Sequence, residues 1–138
     1  MGVVLDSTVL VGAERKGQTV SQLLERVQDA FRDPEIAIAA MTAAELVHGV
    51  WRAKKPEIRA RREEFVEEVL ARIPVRAMSL RTARIAGRID AECRAKGITL
   101  PTADLLIGAA ALELGFGIAT ANERHYKLIP GLKVRFLP

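Results

Sequence analysis

The fold is decided by the stretch VVLDST, residues 3–8. Its first three residues form a short apolar run of the kind that becomes a buried strand. The run ends at Asp6, and Ser7 and Thr8 follow as residues that favour the N-cap of a helix. The stretch therefore predicts a strand that ends at an acid and turns directly into a helix.

Strands and helices alternate along the rest of the chain. Apolar residues at helical spacing predict helices after each apolar run, opened by Thr19, Thr42, Pro56, Ser79 and Thr102. Further strands are predicted at residues 36–39, 74–78, 118–121 and 134–137. Alternation of this kind is typical of a three-layer α/β/α fold with a central, mainly parallel sheet of about five strands.

Composition restricts the class of protein. The 138 residues fit one compact domain, residues 1–138, and the hydrophobic fraction of 49% excludes a disordered chain. No apolar run approaches the roughly 20 residues that cross a bilayer. An acid at position 6 comes too early for a signal peptide, so we expect a cytoplasmic protein. Cys93 is the only cysteine, which excludes an internal disulfide, and we expect it to be buried on a helix.

The charge of the chain is mildly basic, with a net charge of +4 and a pI near 9.6. Arg81, Arg84 and Arg88 share one face of a helix, and residues 52–55 form a second basic cluster. Such surfaces can bind the phosphates of a nucleic acid. Solvated helix faces paired with nearby acids have the same pattern, so both interpretations stay open.

Polar side chains follow the predicted strands where each strand ends. Asp6 follows the first strand, Glu45 lies on the first turn after the second, and Asp104 begins the helix before the fourth. Asn122 comes just after the fourth strand. Ligands of parallel sheets bind at this edge, and oxygen ligands suit Mg²⁺ or Mn²⁺ rather than zinc. Each acid alone could equally serve a helix start, so only the convergent set predicts a cation site.

Four segments, in order along almost the whole chain, carry a resemblance to a known family. They are LDSTVL at 5–10, TAAELVHG at 42–49, GITLPTADLLIGAAA at 97–111, and TANERHY at 120–126 followed by IPGL at 129–132. Together they resemble the motifs of PIN-domain ribonucleases, and within that family they look most like the VapC toxins.

The resemblance implies a Mg²⁺-dependent endoribonuclease that hydrolyses RNA phosphodiester bonds, with Mn²⁺ as a second candidate ion. It implies Asp6, Glu45 and Asp104 as the acidic site, with Asp6 and Asp104 as direct metal ligands. Asn122 occupies a position where many relatives carry a fourth acid, and we expect it to orient the water or the phosphate. Arg84 and Arg88 are the candidate substrate-binding residues.

The resemblance also implies partners. VapC-like proteins form homodimers, and a small VapB-like antitoxin silences them by packing its C-terminal segment across the helices near the acidic site. Trp51, Phe31 and Phe65 are aromatic residues on helices that could leave such apolar surface exposed, although each could also be core.

Two alternative functions remain open at the level of the sequence. The first is a catalytically silent PIN domain that binds RNA or protein. This alternative stays open because Asn122 replaces the fourth acid that many relatives carry. The second is a metal-free ribonuclease that uses His48 and His125 as acid and base on the RNA 2′-hydroxyl.

Other α/β functions are excluded by particular residues. The phosphate-binding pattern G-x-x-x-x-G-K-[ST] is absent. Thr8 stands where a phosphoryl-transfer enzyme with paired strand-end aspartates would carry its second acid. Met78 and Ser79 follow the third strand where a receiver domain would carry its phospho-acceptor aspartate.

Overall fold

The computed structural model describes residues 2–138 and contains one parallel sheet with β1 in its centre. The strands are β1 (Gly2–Leu5), β2 (Glu35–Ala39), β3 (Val75–Arg76), β4 (Gly117–Thr120) and β5 (Val134–Phe136). Their order is β3-β2-β1-β4-β5, and every neighbouring pair is parallel. The predicted α/β/α fold with about five parallel strands is confirmed.

Six helices and one short 3₁₀ helix connect the strands within the described residues. The helices are α1 (Ser7–Arg15), α2 (Val20–Phe31), α3 (Ala40–Arg52), α4 (Pro56–Arg72), α5 (Leu80–Ala95) and α6 (Thr102–Leu114), and the 3₁₀ helix is Tyr126–Leu128. None of the helices in residues 2–138 has the length and hydrophobicity that a bilayer span requires.

Two hydrophobic cores lie on opposite faces of the sheet. Successive side chains of a strand point to opposite faces, so Val3 and Leu5 of β1 pack with α1, α2 and α4, whereas Val4 packs with α5 and α6. Cys93 is buried in the second core, as the sequence predicts. The helices on both faces leave the carboxyl edge of the sheet free for a site.

The starts of two helices differ from the sequence prediction. Asp6 rather than Ser7 or Thr8 is the N-cap of α1, whereas α6 begins at Thr102 as predicted. The chain leaves β2 directly into α3, whose N-cap is Ala39, so Thr42 lies inside the helix, fully buried. Glu45 is consequently on the second turn of α3, not on the first as predicted.

The predicted starts of helices agree with the structure where a side chain caps the helix. Ser79 accepts a hydrogen bond from the Thr82 backbone N–H at the start of α5, and Thr19 does the same for Gln22 at the start of α2. The third strand is shorter than predicted, since only Val75 and Arg76 pair with β2. Both residues are exposed at the edge of the sheet, where little packing holds a longer strand.

Candidate functional site

Asp6 is a buried carboxylate at the end of β1, with 3% of its surface exposed. Its backbone N–H donates to the carbonyl oxygen of Ala119 in β4, which holds the residue at the carboxyl edge of the sheet. The Thr8 and Thr120 hydroxyls donate to Asp6 Oδ2 at 2.7 and 2.8 Å, and the Tyr126 hydroxyl donates to Oδ1 at 2.8 Å. Three hydroxyl donors thus compensate for the loss of water around one buried charge.

Asp104 lies on the first turn of α6, with a quarter of its side chain exposed. Its Oδ2 is 2.7 Å from His125 Nδ1, and its Oδ1 is 3.4 Å from the Tyr126 hydroxyl. Gly108 lies one turn further on in α6, and a Cβ added there would lie 2.5 Å from Ile129 Cδ1. The absence of a side chain at Gly108 therefore makes room for the segment that carries His125 and Tyr126.

The Tyr126 hydroxyl lies between the carboxylates of Asp6 and Asp104. The residue is 1% exposed, and its hydroxyl oxygen contacts one oxygen of each carboxylate. Burial and the negative charges of Asp6 and Asp104 raise the pKa of Tyr126 far above its ordinary value. The hydroxyl therefore keeps its proton and acts as a neutral hydrogen-bond donor.

Glu45 faces the same two acids from α3. Burial raises the pKa of Glu45, and the charges of Asp6 and Asp104 raise it further, against a hydrogen bond from Ser7 that lowers it. Its Oε1 is buried and has no hydrogen-bond partner within residues 2–138. A buried carboxylate oxygen without a partner beside two other acids is the environment that a cation would relieve.

The side chain of Asn122 makes no hydrogen bond to Asp6, Glu45 or Asp104 within the described residues. The residue is exposed, and its contacts with Thr120 are made by its backbone N–H and carbonyl oxygen rather than by its side chain. The neighbouring Glu123 pairs with Lys127 at 2.9 Å instead of with the residues of the site.

The candidate substrate-binding arginines lie on the exposed surface of α5. Arg88 pairs with Glu92 at 3.0 Å, and Arg84 makes no ion pair within the described residues. No hydrogen bond or ion pair joins either arginine to the acids in residues 2–138. Arg88 therefore fits the interpretation of a paired, solvated helix face better than Arg84 does.

A cavity of about 260 Å³ opens beside Glu45 between α1, α3 and α4. Its walls combine apolar side chains such as Phe65 with the polar side chains of His48 and Arg52. At the end of α3, Trp51 is 69% exposed, and the Arg59 guanidinium lies 5.4 Å from the centre of its ring. Phe65 is partly buried against the first core, as is Phe31, so of the three predicted aromatic residues only Trp51 is exposed.

The donor chemistry of this edge fits a hard divalent cation. Every candidate ligand is a carboxylate oxygen, and Glu45 Oε1 has no competing partner among the described residues. No group of three His, Cys, Asp or Glu side chains in residues 2–138 is arranged to hold an ion by itself. Mg²⁺ commonly binds through one or two carboxylates and keeps several waters, so a pair of acids such as Asp6 and Asp104 would be enough to hold it.

Sequence reasoning missed the hydroxyl groups that organise the site. Thr8 was expected to cap a helix, whereas it donates to Asp6, and Thr120 was predicted only as a residue of the fourth strand. His125 was considered only as an acid or base of the metal-free alternative, and its contact with Asp104 was not predicted. The signal for Tyr126 was its place beside His125 in the last motif, as the only tyrosine of the chain.

The fold and site define an α/β/α protein with acidic side chains at the carboxyl edge of a parallel sheet. The model of the PIN domain matches residues 3–129, and the chain belongs to the PIN-domain family. Ribonucleases of this family are metal-dependent.

Individual relatives are similar over most of their length. The chain is 26% identical to Ribonuclease VapC of Rickettsia bellii over 138 residues, which covers 100% of this chain and 98% of that protein. It is 27% identical to the tRNA(fMet)-specific endonuclease VapC of Salmonella typhimurium over 84% of this chain and 87% of that protein. Among solved structures, VapBC2 from Rickettsia felis bound to a promoter DNA fragment has a TM-score of 0.86 at 25% identity, with both chains covered completely.

Proposed function

We propose that the chain is a metal-dependent endoribonuclease that hydrolyses RNA phosphodiester bonds, with Mg²⁺ as its ion and Mn²⁺ as a substitute. The observation that carries the proposal is the meeting of Asp6 and Asp104 on one hydroxyl, beside the unpartnered Glu45 Oε1. This is an oxygen-only site with excess negative charge, and it stands at the edge of the sheet where ligands bind.

Within this site Asp6 and Asp104 are the residues that would hold the ion. A bound divalent cation lowers the pKa of its water and offsets the charge that develops on the phosphate. Glu45 would orient the attacking water or take its proton, because it faces the two aspartates from α3 and its Oε1 has no other partner within the described residues. His125 would hold the Asp104 carboxylate in place through the contact of its Nδ1 with Oδ2.

The exposed polar residues have roles at the rim of the site. Asn122 is free to turn its amide towards a phosphate or a water, because its side chain is exposed and only its backbone bonds to Thr120. Arg84 and Arg88 would contact the phosphate backbone of the RNA, which requires Arg88 to give up Glu92.

The biological setting follows from the relatives. Those described above are named as VapC nucleases, and the similar solved structure is a VapBC assembly. We therefore assign this chain the toxin role in a VapBC-type pair, as one domain over residues 1–138 that works in the cytoplasm as a homodimer and is silenced by a small VapB-like antitoxin. The cavity beside Glu45 and the exposed Trp51 lie on neighbouring helices that such a segment can cover.

The test is cleavage of total RNA by the purified chain with Mg²⁺, with Mn²⁺ or with EDTA, followed by mapping of the new ends. The proposal predicts cleavage with either metal, none in EDTA, and products with a 5′-phosphate and a 3′-hydroxyl. A matched control is Asp90→Asn, which removes an acid that pairs with Arg94 on the surface of α5. This variant should cleave like the wild type.

Two other outcomes would identify the alternatives. Tight RNA binding without turnover in saturating Mn²⁺ would mark a catalytically silent PIN domain. Cleavage that survives EDTA and is lost in His48→Ala or His125→Ala would mark the metal-free histidine route. His48 is exposed on α3, whereas His125 is in contact with Asp104. No hydrogen bond joins the two imidazoles within residues 2–138.

A further inference from the structure

Tyr126 occupies an unusual position for a core aromatic residue. Its ring is packed in the second hydrophobic core, yet its hydroxyl is directed at two acids that come from β1 and α6. A buried tyrosine usually satisfies its hydroxyl with one partner. Here one hydroxyl lies 2.8 Å from Asp6 Oδ1 and 3.4 Å from Asp104 Oδ1.

The other contacts of the two acids leave the Tyr126 hydroxyl as the link between them. Asp6 Oδ2 already accepts from Thr8 and Thr120, and Asp104 Oδ2 is in contact with His125. The Oδ1 atoms have no other side-chain hydrogen bond within residues 2–138. Both Oδ1 atoms therefore face the same hydroxyl, which acts together with Thr8, Thr120 and His125 in setting the direction of the two carboxylates.

We propose that Tyr126 is a positioning residue whose hydroxyl fixes the Asp6 and Asp104 carboxylates towards one another for a divalent cation. The inference rests on the proposed metal-dependent function and adds a residue that the acidic motifs do not contain. The hydroxyl proton is donated to Asp6 Oδ1 at 2.8 Å and lies within reach of Asp104 Oδ1 at 3.4 Å, so it reduces the mutual repulsion of the two carboxylates and limits their freedom to rotate apart before the ion arrives. Outer partners of this kind commonly contribute about 10- to 100-fold to metal affinity.

Packing around the ring separates this role from a structural one. Ile129 lies in the same core and on the same segment as Tyr126, and it is 3% exposed. Its side chain is apolar and cannot form a hydrogen bond with either acid. Tyr126→Phe removes the hydroxyl and keeps the ring, whereas Ile129→Val removes one methyl group from the same packing. The two variants therefore disturb the segment in different ways.

The experiment is a titration of the RNA-free protein with Mn²⁺. Binding is measured by calorimetry and by the electron paramagnetic resonance signal of the free ion. Tyr126→Phe should weaken Mn²⁺ binding by about 10-fold or more, and Ile129→Val should lower the melting temperature without changing the affinity. An affinity of Tyr126→Phe within twofold of the wild type would overturn the inference and leave the proposed nuclease intact. A wild-type protein that binds no Mn²⁺ would overturn both.

A second measurement needs no substitution, so it stays decisive if Tyr126→Phe does not fold. Tyr126 is the only tyrosine, and 3-fluorotyrosine incorporated during expression gives a single ¹⁹F resonance from the intact hydroxyl-bearing ring. Addition of Mg²⁺ should shift this resonance with the same midpoint as the metal-binding isotherm. A resonance that stays unchanged through saturation would contradict the link between the hydroxyl and the ion.

Discussion

His125 Nδ1 lies 2.7 Å from Asp104 Oδ2, and this contact orients a carboxylate that is partly open to solvent. His125→Phe keeps a ring in the segment but removes the hydrogen bond. We expect about a 10-fold lower cleavage rate at subsaturating Mg²⁺, because an acid with a free rotamer holds an ion less well. Lys127→Ala, which breaks only the surface pair with Glu123, is the control and should leave the rate unchanged. Equal rates in both variants would remove His125 from the site.

The raised pKa of Glu45 makes a prediction about stability and pH. Since the folded state holds this proton more tightly than the unfolded state, the contribution of Glu45 to stability falls as the pH rises from the ordinary value of 4.5 through the raised pKa. Glu45→Gln should therefore raise the melting temperature of the metal-free protein by a few degrees at pH 7. The difference should vanish below about pH 4, where both proteins are uncharged at this position. Thermal unfolding in EDTA at both pH values tests this.

A stabilisation by Glu45→Gln that is the same at both pH values would contradict the electrostatic cause. Added Mg²⁺ should stabilise the wild type more than the variant, because the ion offsets a charge that glutamine lacks.

The two aspartates should differ in what their substitution does to the fold. Asp6→Asn and Asp104→Asn should each lower cleavage at least 100-fold, since an amide supplies no negative charge to a cation. Asp6→Asn should also lower the melting temperature in EDTA, because its amide group would stand where buried hydroxyls now donate. Asp104→Asn should leave the melting temperature level or raise it, because it relieves repulsion at a partly exposed position. Full activity in either variant would end the proposed mechanism.

Arg84 offers a test of RNA binding apart from catalysis. Arg84→Ala should raise KM, leave kcat unchanged, and reduce the slope of log affinity against log salt by about 1, as expected for the loss of one phosphate contact. Arg94→Ala is the matched control, because Arg94 lies on the same helix and pairs with Asp90. An unchanged salt slope for Arg84→Ala would place the RNA on another surface.

The parts of the fold that depend on local pattern could be predicted from the sequence. Apolar runs and helical spacing predicted the alternation of strands and helices. Ser79 and Thr19 predicted the starts of their helices correctly, because a side-chain cap is a local interaction. Thr42 is not the N-cap of α3, because β2 continues directly into the helix at Ala39 and leaves no connecting turn in which a hydroxyl side chain could cap it. The same shift moved Glu45 to the second turn of the helix.

The approach of Asp6 and Asp104 to one another could be predicted from the sequence, but the groups around them could not. Strand ends and motifs pointed to Asp6, Glu45 and Asp104 because their positions follow from topology. The donors to Asp6 come from positions 8, 120 and 126, and only the packed structure brings them to one carboxylate. A tyrosine in a late loop is normally read as core, and nothing local reveals that its hydroxyl reaches two acids.

The most direct measurement is anomalous diffraction from crystals of the wild-type protein soaked in Mn²⁺. The account predicts a peak in contact with the carboxylates of Asp6 and Asp104 and its disappearance in crystals of Asp104→Asn. A protein that cleaves RNA in Mn²⁺ while its crystals hold the ion elsewhere, or hold none at these two residues, would contradict the central claim.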